Sequence, residues 1–431
     1  MHKPNIVIIV LDTLREDHAQ GLDRLLDYGF VKYQNAIAPA PWTLPSHVSM
    51  FTGLYPSEHG IHERKELRHN REELLMKYSR LRMSALEYNI LQKYKDENYN
   101  TILISANPII SPWAGFEASR NIIIDFIAST ILTDDAWSIL KEVQKLGGRT
   151  RFILYNLRKK NISKLVKIAQ LYSIRAPKIF PKYLSEYFVR EKGGRLVVSL
   201  VKTLYLEEPF FLFINLMESH DPYFRLGEYR KLYCAVLMWL LTGNIDPQDR
   251  RIWRTYPHHA ERAVRRAIEL VTTILQKADR SNTLIIITSD HGELLGDGGF
   301  HHGYSLEDGN IRVPLYVKYP EGWKKKKQKA YISLTDIPKI LDPSTDTIGS
   351  DLAIAEMFSV TPPDHLFQKC GLEKPSAIWF YHKIRILGNK VDILFNKTLE
   401  QIEYAKGEQA QEVLKNYFAN DAKRETSPYR H

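Results

Sequence analysis

The sequence predicts an α/β fold with a mainly parallel central sheet flanked by helices. Two apolar runs, Ile6–Leu11 and Leu284–Ile287, lack an alternating polar face. Such runs are typical of strands buried on both faces of a parallel sheet. Asp12 follows the first run at once, and Asp290 with His291 closely follows the second. Because open α/β sheets bind ligands beyond the carboxyl ends of their strands, a site is expected there.

The first hundred residues predict two short helices. Gly21–Tyr28 has the pattern of one. Ser46–Thr52 has the pattern of the second, with Pro45 in its first turn and Gly53 just past its end. This assignment places Thr43 at a helix N-terminus, where backbone N–H groups and the helix dipole favour an anion.

Strands and helices alternate along the rest of the chain, which indicates a mainly parallel sheet. The further predicted strands are Tyr99–Ser105, Phe210–Leu216 and Val313–Lys318, and the further predicted helices are Ala85–Tyr94 and Ala260–Ala278.

Three segments define the expected domain organisation. Residues 1–345 are expected to form the main α/β domain, and a helical insertion rich in Lys and Arg is expected at about 125–202. Residues 346–431 are expected to form a small C-terminal α+β layer. Its predicted elements are a hairpin, Lys383–Leu387 against Val391–Phe395, and a closing helix near Leu399–Tyr417.

Composition limits the class of protein. The 431 residues include 60 Lys and Arg against 50 Asp and Glu, a formal charge of +10 that favours anionic partners. Cys234 and Cys370 are far apart, so we expect no disulfide framework and a reducing compartment. The N-terminal apolar run is short, interrupted by Asp12, and no run approaches the ~20 residues that span a bilayer. These observations predict a cytoplasmic protein without a transmembrane segment.

The polar residues that follow the two buried strands predict a metal site. If the strands are neighbours, Asp12, Asp290 and His291 converge on one point. Carboxylate and imidazole ligands in one cluster are typical of a divalent cation, and they are compatible with Ca²⁺, Mn²⁺, Mg²⁺ or Zn²⁺.

A series of short motifs occurs in a definite order along residues 4 to 340. They are Asp12-Thr13-Leu14-Arg15, Ala40-Pro41-Trp42-Thr43-Leu44-Pro45-Ser46-His47, Thr52-Gly53-Leu54-Tyr55-Pro56, His59-Gly60, Asn215-Leu216-Met217-Glu218-Ser219-His220-Asp221-Pro222-Tyr223, Thr288-Ser289-Asp290-His291-Gly292-Glu293, His302-Gly303 and Ile311-Arg312-Val313-Pro314-Leu315. In this order they resemble the sulfatase branch of the alkaline phosphatase superfamily. The resemblance leaves the helical insertion unmatched.

The resemblance implies a set of site residues. Asp12, Asp290 and His291 would hold one divalent cation, with Thr43 as a further ligand and as the nucleophile that attacks a tetrahedral ester. The ester side of the site would contain His220, His302 and His47, as general acid or as donors to the ester oxygens. Residues 1–345 would then be the catalytic domain.

The chain departs from the sulfatase pattern at four positions. Thr43 replaces the Cys or Ser that sulfatases convert to formylglycine, and His47 replaces an Arg. Thr13 replaces the second Asp of an Asp-Asp pair, and His302 falls near the position of a Lys. A Thr nucleophile resembles the phosphodiesterases and the phosphoethanolamine or phosphoglycerol transferases of the same superfamily.

Each site residue has a structural alternative. Thr43 could be the N-cap of its helix, and His47 could lie on the helix surface. His301 competes with His302 for the same role. Arg15 is expected to orient Asp12 or its loop.

Three functions fit these residues. The first is a metal-dependent hydrolase of sulfuric or phosphoric esters, and the second is a transferase of a phosphoryl-linked head group. The third is a pseudoenzyme that binds anionic glycans or lipid head groups without turnover. An anionic sulfate or phosphate ester is the expected partner in each case, and no nucleic acid is expected. Natural substrate, metal identity and oligomeric state are not encoded in these motifs.

Overall fold

The computed structural model describes most of the chain. The described residues are 3–62, 82–125, 130–133, 139, 142, 143, 145, 146, 149–166, 192–223, 229–358, 362, 364–373 and 381–425.

The strands of the described residues are mostly short and apolar. In chain order they are β1 (Asn5–Leu11), β2 (Val31–Ile37), β3 (Asn100–Ser105), β4 (Arg120–Asp125), β5 (Thr130–Thr133), β6 (Phe210–Leu216), β7 (Thr283–Thr288), β8 (Leu294–Leu295), β9 (Phe300–His301), β10 (Arg312–Lys318), β11 (Lys327–Gln328), β12 (Ile332–Ser333), β13 (Thr347–Ile348), β14 (Leu352–Phe358), β15 (His382–Gly388), β16 (Val391–Asn396) and β17 (Gln401–Lys406). Every residue of β1, β6 and β7 is buried, as their unbroken apolar sequences predict.

The helices pack around these strands. The α-helices are α1 (Thr43–Thr52), α2 (Pro56–His59), α3 (Ile90–Asp96), α4 (Arg149–Arg158), α5 (Gly194–Thr203), α6 (Tyr229–Thr242), α7 (Tyr256–Lys277), α8 (Asp308–Ile311), α9 (Ile337–Ile340), α10 (Asp364–Cys370) and α11 (Ala410–Glu425). Short 3₁₀ helices cover Glu16–His18, Gln20–Tyr28, Met83–Ala85, Pro112–Ala114, Asp249–Trp253 and Leu334–Asp336.

Among the described residues, nine strands form one central sheet in the order β12-β2-β10-β7-β1-β6-β3-β4-β5. The consecutive strands β7, β1, β6, β3 and β4 are parallel, whereas β10 and β5 are antiparallel to their neighbours. β1 therefore lies directly beside β7, with Val10 opposite Thr288. The predicted α/β fold with a mainly parallel sheet and the predicted convergence of these two strands are confirmed.

The sheet is buried on both faces by apolar side chains. On one face Ile8 and Val10 belong to the same buried cluster as Val48 and Phe51 of α1. On the other face alternate residues of β1 pack in a cluster with the apolar side of α7, which includes Leu270. Because both α1 and the strand ends are held by one continuous core, the residues at their junction have fixed relative positions.

A second sheet of four strands, in the order β14-β15-β16-β17, follows in the chain. The predicted hairpin is confirmed, since β15 pairs antiparallel with β16. The predicted closing helix begins later than expected, because Gln401–Lys406 forms the edge strand β17 and α11 starts at Ala410. All six residues of β17 are exposed, so no buried alternating face marks it in the sequence. The domain boundary near 345 stays a prediction.

The basic helical insertion is only partly described. Within 125–202 the structure shows β5, α4 and the first residues of α5. Residues 126–129, 134–138, 140, 141, 144, 147, 148 and 167–191 lie outside the described residues. The insertion as a whole therefore stays a prediction.

The two cysteines are paired, contrary to expectation. Cys234 in α6 and Cys370 at the end of α10 form a disulfide across a sequence separation of 136 residues. The expectation failed because sequence distance does not show that α6 and α10 are packed together. Disulfides persist mainly in oxidising compartments, so the inference of a reducing compartment loses its basis.

Among the described residues, no helix combines the length and apolarity that crossing a bilayer requires. A cytoplasmic location stays a prediction.

Candidate active site

The ends of β1 and β7 bring three ligand-type side chains together. Asp12, Asp290 and His291 are fully buried, and their ligand atoms all lie within 4.8 Å of one another. Oδ1 of Asp12 and Oδ2 of Asp290 have no hydrogen-bond partner among the described residues. Two buried carboxylates with unsatisfied oxygens are costly unless a positive charge lies between them. The cluster therefore fits a divalent cation.

Burial controls the protonation of this cluster. It raises the pKa of Asp12 to about 6, with a further upward contribution from the charge of Asp290. It also raises the pKa of Asp290 to about 6. For His291 burial lowers the pKa to about 4, which leaves the imidazole neutral at pH 7 and able to ligate a metal.

His291 is held in one tautomer. Its Nδ1 lies 2.9 Å from the Gly292 carbonyl oxygen, so Nδ1 carries the proton and Nε2 keeps its lone pair. Nε2 lies 3.4 Å from Oδ2 of Asp290 and 3.8 Å from Oδ1 of Asp12, the two unsatisfied oxygens. A Cβ at Gly292 would collide with the carbonyl oxygen of Gly309, so only glycine fits beside this histidine.

Two donors fix the carboxylates. Nδ2 of Asn107 donates to Oδ2 of Asp12 at 3.0 Å, and the backbone N–H of Thr13 donates to Oδ1 of Asp290 at 3.2 Å. The sequence analysis missed Asn107, although it follows β3 at the same edge of the sheet as the predicted ligands. A search for polar residues after every parallel strand would have found it.

Thr43 lies beside the cluster. It is the first residue of α1 and is 3% exposed, and its Oγ1 lies 3.3 Å from Nε2 of His291. The N-cap of α1 is Trp42, which makes no side-chain capping bond. The alternative assignment of Thr43 as a helix cap is therefore wrong. Its hydroxyl faces the carboxylate and imidazole groups at a helix N-terminus, where an anion is favoured.

His47 faces the interior, so the alternative of a surface position is wrong. Its Nδ1 lies 2.9 Å from the Thr43 carbonyl oxygen and 3.4 Å from Oδ2 of Asp290. Burial lowers its pKa to about 3, so it is neutral. Its ring packs edge-on against Phe116 and Phe213. His47 thus lies between the backbone of Thr43 and the carboxylate of Asp290.

His220 and His302 bring two further imidazoles to the site. The ring centroid of His302 lies 4.8 Å from that of His291 and 4.9 Å from that of His220. His301 stacks on His302 at 4.1 Å and has an unsatisfied Nε2. The rings of His220, His291, His301 and His302 therefore form one continuous group. Glu293, His301 and His302 also place their ligand atoms within 4.8 Å of one another.

His220 and His302 differ in charge. Burial opposes charge on His220, but the Asp221 carboxylate, whose Oδ1 lies 2.5 Å from Nδ1, raises its pKa to about 10. Burial instead lowers the pKa of His302 well below its usual value. At pH 7 the site thus contains a cationic imidazole beside a neutral one. This arrangement offers a proton donor and a hydrogen-bonding partner to an anionic ester.

Lys192 is a buried charged residue that the sequence patterns did not single out. It is fully buried, and its Nζ donates to the carbonyl oxygens of His220 and Glu218. It lies within the predicted basic insertion, where no motif marks it. The carboxylate of Glu218 accepts a hydrogen bond from the backbone N–H of Gly194 at 2.6 Å, which anchors α5.

Arg15 braces a loop rather than the metal cluster. It forms ion pairs with Asp17 and Asp297 and donates to the carbonyl oxygen of Glu293 at 3.1 Å. Of the two expected roles, orientation of the loop matches these contacts.

Two family models match different parts of the chain. The sulfatase model matches residues 195–342, and the model for type I phosphodiesterase/nucleotide pyrophosphatase matches residues 9–81. The predicted resemblance to the sulfatases of the alkaline phosphatase superfamily is confirmed over these segments. Both matches include residues of the site described above.

Curated relatives resemble segments of this chain. The uncharacterized sulfatase YidJ of Escherichia coli strain K12 is 28% identical over 155 residues, which cover 31% of each chain. The low-salt glycan biosynthesis sulfotransferase Agl7 of Haloferax volcanii is 30% identical over 100 residues, 22% of each chain. The matched segments thus span less than a third of these relatives.

Solved structures share the fold over nearly the whole chain. The phosphonate monoester hydrolase SpPMH of Silicibacter pomeroyi superposes with a TM-score of 0.57 at 13% identity. The match covers 94% of this chain and 89% of the hydrolase. At this identity the comparison shows the sulfatase-like fold alone.

Proposed function

We propose that the protein is a metal-dependent hydrolase of sulfuric or phosphoric esters that uses Thr43 as its nucleophile. The observation that carries this proposal is the position of the Thr43 hydroxyl, 3.3 Å from Nε2 of His291 at the edge of the buried Asp12, Asp290 and His291 cluster. A hydroxyl that served only to cap or to pack would not need two unsatisfied carboxylate oxygens beside it.

Asp12, Asp290, His291 and Oγ1 of Thr43 are the residues that would hold the cation. When bound, a divalent ion stabilises the alkoxide form of a hydroxyl and polarises an ester oxygen. The chain itself supplies the orientation of these ligands, because Asn107, the backbone of Thr13 and the carbonyl of Gly292 fix them. Oxygen and nitrogen ligands are compatible with Ca²⁺, Mn²⁺, Mg²⁺ or Zn²⁺.

The ester would lie between Thr43 and the ester-side histidines. Oγ1 of Thr43, whose proton passes to solvent, attacks the central sulfur or phosphorus, forms a new bond to it and breaks its bond to the leaving oxygen. Water then attacks the same atom, breaks its bond to Oγ1 and returns Thr43 to its hydroxyl form. The protonated imidazole of His220 can donate its Nε2 proton to that oxygen, while His302 donates to or accepts from the ester group. The N-terminus of α1 offers backbone dipoles for the charge on the remaining oxygens. His47 contacts the backbone of Thr43 and supports the nucleophile from behind.

A transferase is the second candidate. The similarity to a glycan biosynthesis sulfotransferase favours it, since the same Thr43-bound intermediate can be passed to an acceptor hydroxyl instead of water. A glycan or a lipid head group would then be donor or acceptor. Both candidates share the site and differ in what attacks the intermediate.

A substrate panel tests the proposal. The metal-reconstituted protein is assayed with an aryl sulfate, a phosphate monoester, a phosphodiester and a phosphonate monoester, with and without an alcohol acceptor. Metal-dependent release of the aryl alcohol that disappears in Thr43→Ala supports the hydrolase. Transfer of the sulfuryl or phosphoryl group to the added alcohol at the expense of water supports the transferase. Metal and ligand binding without turnover of any ester would show that the protein is a binding pseudoenzyme.

A further inference from the structure

Glu293 is a buried carboxylate with no role in the reaction described so far. It is fully buried, and its Oε2 lies 2.9 Å from the hydroxyl of Tyr223 and 2.9 Å from Nδ1 of His302. Burying a carboxylate is expensive unless it is hydrogen-bonded. Glu293 follows Asp290 by three residues in the chain but is not part of the Asp12, Asp290 and His291 group.

The hydrogen bond to Nδ1 determines the state of the His302 ring. An ionised carboxylate can only accept a hydrogen bond, so Nδ1–H of His302 donates to it and Nε2 is left to face other groups. The His302 ring contacts those of His291 and His220, and is 12% exposed as a side chain. Tyr223, itself buried, holds the same carboxylate oxygen from the other side.

We propose that Glu293 is a positioning residue that, together with Tyr223, holds the His302 imidazole with Nδ1 protonated and Nε2 directed to the ester. This inference rests on the proposed function, because it concerns an ester-side residue of that reaction. Glu293 acts through His302 and does not touch the substrate. This role is the same as that of carboxylates that orient metal-binding imidazoles in other proteins, where removal of the carboxylate costs ~10–100-fold in activity.

The same side chains offer a competing arrangement. Glu293, His301 and His302 have ligand atoms within 4.8 Å of one another, which would also suit a second cation. In the structure Oε2 of Glu293 is occupied by two hydrogen-bond donors, Tyr223 and His302, at hydrogen-bond distance. That geometry favours the positioning role, and the metal content of the variants decides between the two.

A double-mutant cycle tests the inference through turnover. Glu293→Gln keeps the shape of the side chain and removes its charge, and it is combined with His302→Ala. We expect Glu293→Gln to lower kcat ~10–100-fold with little change in KM, and to lower it less than ~2-fold when His302 is already Ala. Full additivity of the two losses would overturn the proposal.

Glu356→Gln is the matched control. Glu356 is 1% exposed and accepts hydrogen bonds from Oγ of Ser57 at 2.8 Å and from the Tyr417 hydroxyl at 3.3 Å. Glu356 lies in β14 and, like Glu293, is a buried glutamate that accepts a hydrogen bond from a tyrosine. None of the hydrogen bonds that its side chain makes within the described residues involves His220, His291, His301 or His302. Its variant is expected to retain wild-type kcat. Elemental analysis of Glu293→Gln is expected to give the wild-type metal content, and loss of one metal equivalent would replace the positioning role with a second cation site.

A measurement without turnover separates this proposal from the proposed function. ¹⁵N-labelled histidine ring signals report which nitrogen of His302 carries the proton, assigned through His302→Ala. We expect the Nδ1–H form in the wild-type protein and a mixture of tautomers in Glu293→Ala. An Nε2–H form in the wild type would overturn the inference. If no ester is turned over, the proposed function fails, and this spectrum still tests the role of Glu293.

Discussion

Nδ2 of Asn107 lies 3.0 Å from Oδ2 of Asp12, although 95 residues separate them in the chain. The amide is held in that orientation because its Oδ1 accepts a hydrogen bond from the backbone N–H of Ile109 at 3.0 Å. One oxygen of Asp12 is therefore satisfied by protein, and the other, Oδ1, has no partner among the described residues. Oδ1 of Asp12 therefore keeps its lone pairs available for a cation.

The first prediction concerns the cation. Asp290→Asn should lose most bound metal while remaining folded, because the substitution removes one of two charges that attract the ion. Elemental analysis after reconstitution measures the content. Saturating metal should also stabilise the wild type, by ~2.7 kcal/mol at one hundred times Kd, and should not stabilise the variant.

Asp297→Asn is the control for the metal prediction. Asp297 pairs with Arg15 at 2.6 Å and its side chain is 48% exposed, so it lies at the loop surface rather than in the cluster. Its variant should bind metal as the wild type does. Undiminished metal in Asp290→Asn would contradict the assignment of the site.

The second prediction concerns the nucleophile. Thr43→Ala should abolish turnover, because it removes the proposed nucleophilic hydroxyl at the first position of α1. Its free energy of unfolding should fall by less than ~1–2 kcal/mol, since Thr43 is not the helix cap. Mass spectrometry with a slow substrate should find the adduct on Thr43.

Thr52→Ala is the matched control at the other end of the same helix. Oγ1 of Thr52 bonds to the Val48 carbonyl oxygen at 2.7 Å, so the variant loses a hydroxyl from α1 without touching the site. It should retain activity. An active Thr43→Ala protein would refute the nucleophile.

The third prediction concerns pH. The folded-state pKa of His220 is raised to about 10 from 6.5, against burial, by the Asp221 carboxylate. His220 therefore contributes stability that is complete below pH 6.5 and is lost as the pH rises toward 10, at up to ~1.4 kcal/mol per pH unit. The difference in unfolding free energy between the metal-free wild type and His220→Gln should shrink over this range. Chemical denaturation at several pH values measures it, and a constant difference would count against the raised pKa.

The fourth prediction concerns the ester-side histidines. His220→Ala and His302→Ala should each lower the rate most for esters with poor leaving groups, by ~10²–10⁴-fold for the residue that acts as general acid. Substrates with a series of leaving-group pKa values reveal the effect. An equal loss across the series would assign the residue to positioning. The charge of His220 favours His220 as the acid.

The fifth prediction concerns the ester. A Thr-bound intermediate has no second hydroxyl on its attachment carbon, so attack at the central atom must release it. Phosphorus accepts such attack when nearby charges are offset. Thr13 in place of an Asp also leaves the site less negative. We therefore expect a higher kcat/KM for a phosphodiester or phosphomonoester than for an aryl sulfate on one metal-loaded preparation.

Thr13→Asp supplies the matching variant for this prediction. The Thr13 side-chain hydroxyl is buried, has no hydrogen-bond partner among the described residues and belongs to the residue that follows Asp12, so a carboxylate there adds a buried negative charge next to Asp12 in the chain. The added charge should lower kcat/KM for the phosphoester more than for the sulfate. A higher kcat/KM for the sulfate in the wild type would show that Thr43 does not set this preference.

The central sheet and the convergence of Asp12, Asp290 and His291 were predictable because they depend on local patterns. Unbroken apolar runs predicted β1, β6 and β7, and the polar residues that follow two of them predicted Asp12, Asp290 and His291. The parallel pairing of β1 with β7 then brought these residues together without any long loop having to be predicted.

The errors lie where tertiary contacts outweigh sequence pattern. The Cys234–Cys370 bond depends on the packing of two helices far apart in the chain. β17 is an exposed edge strand, so its sequence has no buried face to reveal it. Asn107 and Glu293 contact residues far from them in the chain, Asp12 in one case and His302 in the other, and local sequence patterns do not pair them.

The position of β1 has a consequence for synthesis on the ribosome. β1 precedes both of its partners in the chain, since it pairs on one side with β6, residues 210–216, and on the other with β7, residues 283–288. The centre of the sheet therefore cannot close until β7 has been translated, and loop-closure entropy makes such distant pairing slow. Until then the apolar segment Ile6–Leu11 lacks both neighbours and is exposed to aggregation on the nascent chain.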